Sequence, residues 1–260
     1  MSRHYPDQLQ IDGQTYSVEK ILKEDFYSVN VLYKCNGTNI RYVLKLSDFR
    51  FIFGKLLRPL AMFMSWREHR VYSKVAGIEG VPPLGPRFGS RGYFHQYIAG
   101  KTLFEVRKSG DELPPTFFED LRRTIDAIHK LDICYVDLNK LGNMICGDDG
   151  RAYLIDYQIS LELPKFASLS KLTKNLYEQL QREDLYHLYK HKSRFHPHLM
   201  TDEEKCLAKK STFNQVYDRL IGRPWRWFKR SIYPHGSNEI IWYKWRKLQE
   251  SGQAPPMEMP

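Results

Sequence analysis

The chain has 260 residues, 42% hydrophobic and 27% charged, values ordinary for a globular protein with a full core or with two lobes sharing a cleft. A formal charge of +10 attracts anions without choosing among nucleotides, acidic lipid, phosphorylated sugars and nucleic acid. Four cysteines, Cys35, Cys134, Cys146 and Cys206, form no CxxC pair and no zinc spacing, which suits buried free thiols in a reducing compartment.

The first ten residues contain no apolar run of signal-peptide type, so a cytoplasmic location is expected. Residues 16–22, 28–35 and 41–46 read as three strands of an antiparallel meander, with Asn36-Gly37 as the turn between the last two. Residues 51–75 read as mainly helical, with Pro59 as a break or a new start. The apolar stretch 51–64 carries Lys55, Arg58 and Pro59 and is too short to span a bilayer. Residues 81–86 form an extended connector, 91–98 a strand and Ala99-Gly100-Lys101 a bend.

Thr116 and Glu119 have capping-box spacing. The helix they open places Phe117, Leu121, Ile125 and Ile128 on one face. Residues 133–136 and 143–146 are short apolar runs, 147–150 a turn, and 152–155 a strand. From about Leu163 the chain reads as helical and polar-aromatic. Strands and helices are segregated, which predicts an α+β fold.

The most informative stretch runs from Tyr135 to Gln158. It presents Asp137, an asparagine six residues later at Asn143, a hairpin, and Asp156 at the end of an apolar strand. Phosphoryl transfer needs these groups: one carboxylate to orient an acceptor hydroxyl, and a second carboxylate with an amide oxygen to hold a metal against phosphates. Taken alone, each acid also reads as a solvated residue at the end of a hairpin.

Here the sequence resembles the protein-kinase-like superfamily, with small bacterial lipopolysaccharide-core kinases and RIO-like kinases nearest in character. The resemblance covers about residues 14–160. It implies a bilobal fold in one domain: an antiparallel-sheet N-lobe at about 10–95, a hinge at 96–100, a mainly helical C-lobe at 101–250, and a tail at 251–260. It implies ATP and Mg²⁺ as cofactors. Asp137 takes the place of the catalytic aspartate, Asn143 and Asp156 those of the metal ligands, and Lys140 that of the acceptor-side lysine. Tyr42-Val-Leu-Lys45 resembles the strand whose lysine contacts the phosphates, with Glu68 as its partner and Glu79 as a competitor. Gln96, Tyr97 and Ile98 would offer backbone groups to adenine. Asp184 corresponds to an acid that braces the catalytic loop, or is a solvated helix residue.

The pattern has departures. Residues 23–28, Lys-Glu-Asp-Phe-Tyr-Ser, replace a glycine-rich phosphate loop, and Tyr135-Val136 replace the usual His-Arg. The interval between Asp137 and Asn143 is one residue longer than is usual, so the loop bulges or Asn139 takes part. Asp156-Tyr157-Gln158 lacks the usual glycine. These losses fit simpler relatives that act on small molecules or glycolipids, or an enzyme that is always on, with a membrane-linked sugar and a protein Ser/Thr as the leading acceptors. The rival readings are a pseudokinase scaffold and a RIO-like ATPase associated with nucleic acid.

Residues 161–260 hold 18 Lys and Arg against 11 Asp and Glu. Arg223-Pro-Trp-Arg-Trp-Phe-Lys-Arg230 and Trp242-Tyr-Lys-Trp-Arg-Lys247 interleave rings with cations. That pattern suits peripheral contact with the inner face of a membrane, with nucleic acid as the less favoured partner and simple packing on the lower lobe as the plain alternative.

Overall fold

The computed structural model describes residues 5–24, 28–47, 58–163 and 171–209. The fold is α+β. Strands β1 (Gln8–Ile11), β2 (Gln14–Glu24), β3 (Ser28–Cys35), β4 (Arg41–Ser47), β5 (Leu84–Phe88) and β6 (Gly92–Gln96) make one antiparallel sheet in the order β1-β2-β3-β4-β6-β5. The expected meander is therefore the middle of a six-stranded sheet. The Asn36-Gly37 turn forms as read, with Gly37 at φ 84° and Cys35 N–H donating to Ile40 O at 2.9 Å.

Alternation along β4 decides what each face meets. Leu44 and Leu46 join Tyr16, Val29, Val31, Tyr33 and Phe94 in one buried cluster. Lys45 faces the other way, opposite Tyr93 in the β4–β6 register. Helix α1 (Arg58–Val75) packs on that second face. Pro59 sits in its first turn, where a missing N–H costs nothing, so it starts the helix rather than breaking it. Residues 51–57 lie outside the described residues.

The connector expected at 81–86 runs into β5, the strand expected at 91–98 is confined to β6, and the expected bend at 99–101 begins β7 (Gly100–Thr102). Then follow α2 (Leu103–Ser109), α3 (Phe117–His129), β8 (Ile133–Cys134), a 3-10 turn at Leu141–Asn143, β9 (Met144–Gly147), β10 (Ala152–Leu154), β11 (Leu161–Glu162), α4 (Lys171–Phe195) and α5 (Asp202–Leu207). β7, β9 and β10 form a small sheet, and β8 pairs with β11.

The larger core gathers Val71, Tyr72 and Val75 of α1, the buried face of α3, and Leu188 and Tyr189 of α4. Phe117, Leu121, Ile125 and Ile128 are fully buried there, as their spacing predicted. Each such side chain contributes about 1.5–3 kcal/mol of apolar burial. The capping box at Thr116 does not form. Thr116 adopts helical φ/ψ of −81° and −9° and makes no side-chain cap bond. A turn in which Phe117 N–H donates to Pro114 O at 3.0 Å has already bent the chain, and a capping side chain needs an extended residue. Capping boxes form instead at Thr102–Glu105 and Thr201–Glu204.

Among the described residues no helix is long and apolar enough to cross a membrane. The basic aromatic segments 223–230 and 242–247 lie outside the described residues.

Candidate functional site

Lys45 reaches across from β4 to two carboxylates. Its Nζ donates to Glu68 Oε1 at 2.6 Å and to Asp156 Oδ1 at 2.8 Å. Lys45 and Glu68 are nearly sealed, at 8% and 2% side-chain exposure, whereas Asp156 keeps 23%. Glu79 is exposed and, among the described residues, its ion pair is with Arg151 at 3.6 Å, so it is Glu68 rather than Glu79 that meets Lys45. Tyr93 also bonds Glu68, a consequence of its place opposite Lys45.

Burial pulls the Lys45 ammonium down, but Asp156 and Glu68 outweigh it and hold the group above its ordinary range. Burial pushes the Asp156 carboxyl up. The charge and hydrogen bond of Lys45 reverse this and bring it down to about 2. Both groups are therefore charged at neutral pH.

The second half of the site comes from the loop after β8. Asp137 is buried, and its Oδ2 accepts from Lys140 Nζ at 2.5 Å and from Asn143 Nδ2 at 3.1 Å. Burial pushes the Asp137 carboxyl up, and Lys140 and Asn143 oppose it. The long interval between Asp137 and Asn143 is taken up by successive turns, Lys140 N–H to Asp137 O at 3.2 Å and Asn143 N–H to Lys140 O at 3.1 Å. The loop bulges, and it is Asn143 that meets Asp137. Asn139 is exposed and accepts from Lys190 at 3.4 Å.

Hairpin β9–β10 then joins the halves. Its register pairs Cys146 with Ala152, Ile145 with Tyr153 and Met144 with Leu154. One step further, Ile155 N–H donates to Asn143 O at 2.9 Å. Asn143 thus lies beside the residue that precedes Asp156, although the sequence separates Asn143 from Asp156 by thirteen positions.

The loop is held under strain. Val136 has φ 71°, a region costly for a β-branched residue. Asp184 of α4, fully buried, accepts from Tyr135 N–H and Val136 N–H, both at 2.8 Å, and from His129 Nε2 at 3.0 Å. Of the two readings of Asp184, the brace is the one observed. A ladder of buried rings lies behind the site: Tyr93 to Tyr72 at 5.7 Å, Tyr72 to Tyr157 at 5.0 Å, Tyr157 to Tyr135 at 5.5 Å between centroids.

Gln96, Tyr97 and Ile98 sit at the far end of β4 from the acids. Gln96 N–H donates to Pro83 O at 2.9 Å and Tyr97 N–H to Arg41 O at 3.0 Å, so those two donors are already engaged.

No protein-family model matches the chain, and no curated protein matches it.

Asn143 and Asp156 offer the hard oxygen donors that suit Mg²⁺ rather than a softer metal. Among the described residues no group of three or more His, Cys, Asp or Glu could hold a metal ion. A cation at Asn143 and Asp156 would need further oxygens from water or a phosphate, which is how Mg²⁺ is commonly held.

Sequence reasoning missed Tyr93, His129 and Arg67, whose guanidinium contacts the segment after Asp156. Only Tyr93 had a signal to follow, the strand pairing that sets it opposite Lys45.

Proposed function

We propose that the protein is an ATP- and Mg²⁺-dependent phosphotransferase with a bilobal, protein-kinase-like fold, passing the γ-phosphate to a hydroxyl acceptor on a protein or a glycolipid. The observation that carries this reading is the convergence of a buried, charged Lys45 with Glu68 and Asp156, opposite a loop that presents Asp137, Lys140 and Asn143.

Each residue has a role that follows from its surroundings. Lys45 stays protonated and would neutralise the phosphates of the nucleotide, while Glu68 fixes its direction. Ile98 is the residue of the hinge segment whose N–H would face adenine. Asn143 Nδ2 is engaged by Asp137, which leaves the amide oxygen as the end to share a metal with Asp156. Asn143 and Asp156 would hold Mg²⁺, which would supply positive charge to offset the charge that develops on the phosphate during transfer. Asp137 would accept the hydrogen bond of the acceptor hydroxyl and align it. Lys140, with 58% side-chain exposure, stands beside it on the solvent side, where an acceptor would arrive.

The sheet that carries Lys45 would be the upper lobe, and the α3–α4 core with its hairpin the lower one. The segments 223–230 and 242–247 are proposed as a peripheral membrane contact that would bring the enzyme to a lipid-linked acceptor.

The test is transfer of label from γ-labelled ATP to membrane and cytosolic extracts, with and without Mg²⁺, beside Asp137→Asn and Asp156→Asn. Metal-dependent labelling that falls by about 10²–10⁴-fold in both variants is expected. Absence of labelling, together with no Mg²⁺-dependent rise in melting temperature when ATP is added, overturns the reading and favours a scaffold.

A further inference from the structure

Successive residues of an α-helix point about 100° apart, so neighbours on α1 serve different partners. Glu68 turns inward to Lys45. Arg67 turns onto the segment that follows Asp156. Its Nη1 donates to Gln158 O at 2.7 Å, and its Nη2 donates to Ser160 O. Ser160 is fully buried and its hydroxyl donates to Tyr135 O at 3.1 Å, in the loop that carries Asp137. Further along the same face of α1, Arg70 and Lys74 both reach Glu162.

A rigid fork of donors taking two carbonyls two residues apart is a task for guanidinium, since a lysine ammonium cannot span both in fixed geometry. The place is telling. Asp156 itself lies at φ 67°, an unfavoured conformation that something must hold. Gln158 stands two residues on, and its own carbonyl is one of the two that Arg67 takes.

We propose that Arg67 is a positioning residue for Asp156. It ties the turn at 158–160 to α1, so that the Lys45–Glu68 pair and the Asp156 carboxylate are set, or lost, as one unit. The turn is thereby tied to the site by the chain's own bonds. This role rests on the phosphotransferase reading for its catalytic consequence, but not for its structural one.

The full chain is compared with Arg67→Met, Arg67→Lys and Arg70→Met. Hydrogen exchange is followed at the amides of Gln158 and Ser160, and the kinetics as a function of Mg²⁺. Arg67→Met should speed exchange at those two amides by about tenfold or more while α3 and α4 keep wild-type protection. It should lower kcat by about 10–100-fold and raise the Mg²⁺ concentration for half-maximal rate by about tenfold, with KM for ATP within about twofold. Arg67→Lys should recover little of either, and Arg70→Met should behave as wild type. Wild-type exchange and wild-type Mg²⁺ response in Arg67→Met overturn the proposal, as does full recovery by Arg67→Lys. Should Arg67→Met fail to fold, Arg67→Lys carries the same comparison. If the wild-type chain transfers no phosphate at all, the functional reading fails, and the exchange measurement alone decides whether Arg67 holds the turn.

Discussion

The Lys45 ammonium lies 2.6 Å from Glu68 Oε1, and the two side chains are 8% and 2% exposed. A charge pair this deeply enclosed gains little over an apolar replacement, yet stranding one partner is costly. Lys45→Met should therefore destabilise the protein by about 3–5 kcal/mol, because Glu68 is left buried without its cation. The double variant Lys45→Met/Glu68→Leu should recover much of that loss. Urea denaturation of the single and double variants measures it. A double variant no more stable than Lys45→Met would mean that stranding Glu68 is not what the single variant costs.

Asp156 sets one pH dependence of stability. Its folded pKa, about 2, lies below the ordinary aspartate value, so its contribution is present above about pH 4 and is lost as pH falls towards 2. The melting temperature of wild type should fall relative to Asp156→Asn across that window and run parallel to it above about pH 5. Parallel curves down to pH 2 would mean that Lys45 does not hold Asp156 in solution.

In the proposed phosphotransferase, Asp137 would set the other, in activity. Burial raises its carboxyl and Lys140 opposes the rise, so the acid limb of kcat/KM should stand above that of an ordinary aspartate. Lys140→Ala removes the opposing charge and should move this limb to still higher pH. A limb that stays put would separate Lys140 from Asp137 in function.

Strain at Val136 and support from Asp184 form a matched pair. Asp184→Ala leaves the buried N–H groups of Tyr135 and Val136 unanswered and should cost about 2–4 kcal/mol. Val136→Gly removes the penalty of φ 71° and should stabilise the protein by roughly 0.5–1 kcal/mol, or offset part of the Asp184→Ala loss. Calorimetric melting of the two single variants and the double variant checks both signs. A destabilising Val136→Gly would mean that the valine side chain contributes more packing than strain.

Gly100 is fixed by space as well as by conformation. A Cβ there would stand 2.1 Å from Cys146 O, across the β7–β9 pair, and the residue has φ 150°. Gly100→Ala should destabilise by about 3 kcal/mol or more, while Gly142→Ala, which meets nothing within 4 Å, should stay within about 1 kcal/mol of wild type. Equal melting temperatures for the two would overturn this account.

The parts of the candidate site legible in the sequence were those whose residue type and spacing the proposed phosphoryl transfer would demand. Lys45, Glu68, Asp137, Lys140, Asn143 and Asp156 meet in the structure because a hairpin and a helix bring back together what the chain separates. The α3 face was legible because burial imposes its own period on the sequence. The cap at Thr116 misled because the same residue types occur where a preceding turn has already bent the chain. Arg67 and His129 left no trace, since an arginine on two carbonyls and a histidine on a buried acid obey no local pattern. Short strands β1, β7 and β11 escaped because two to four residues carry too little alternation to read.

Hairpin β9–β10 works as a ruler. Its rungs fix how far Asn143 stands from Asp156, and every rung carries neighbours of opposite facing. One residue added to a single arm would swap the facing of all that follows and turn one oxygen donor away from the other, whatever its chemistry. Length can therefore change only by matched additions to both arms or at the tip around Asp148, so descendants of this sequence can vary the loop but not the gauge.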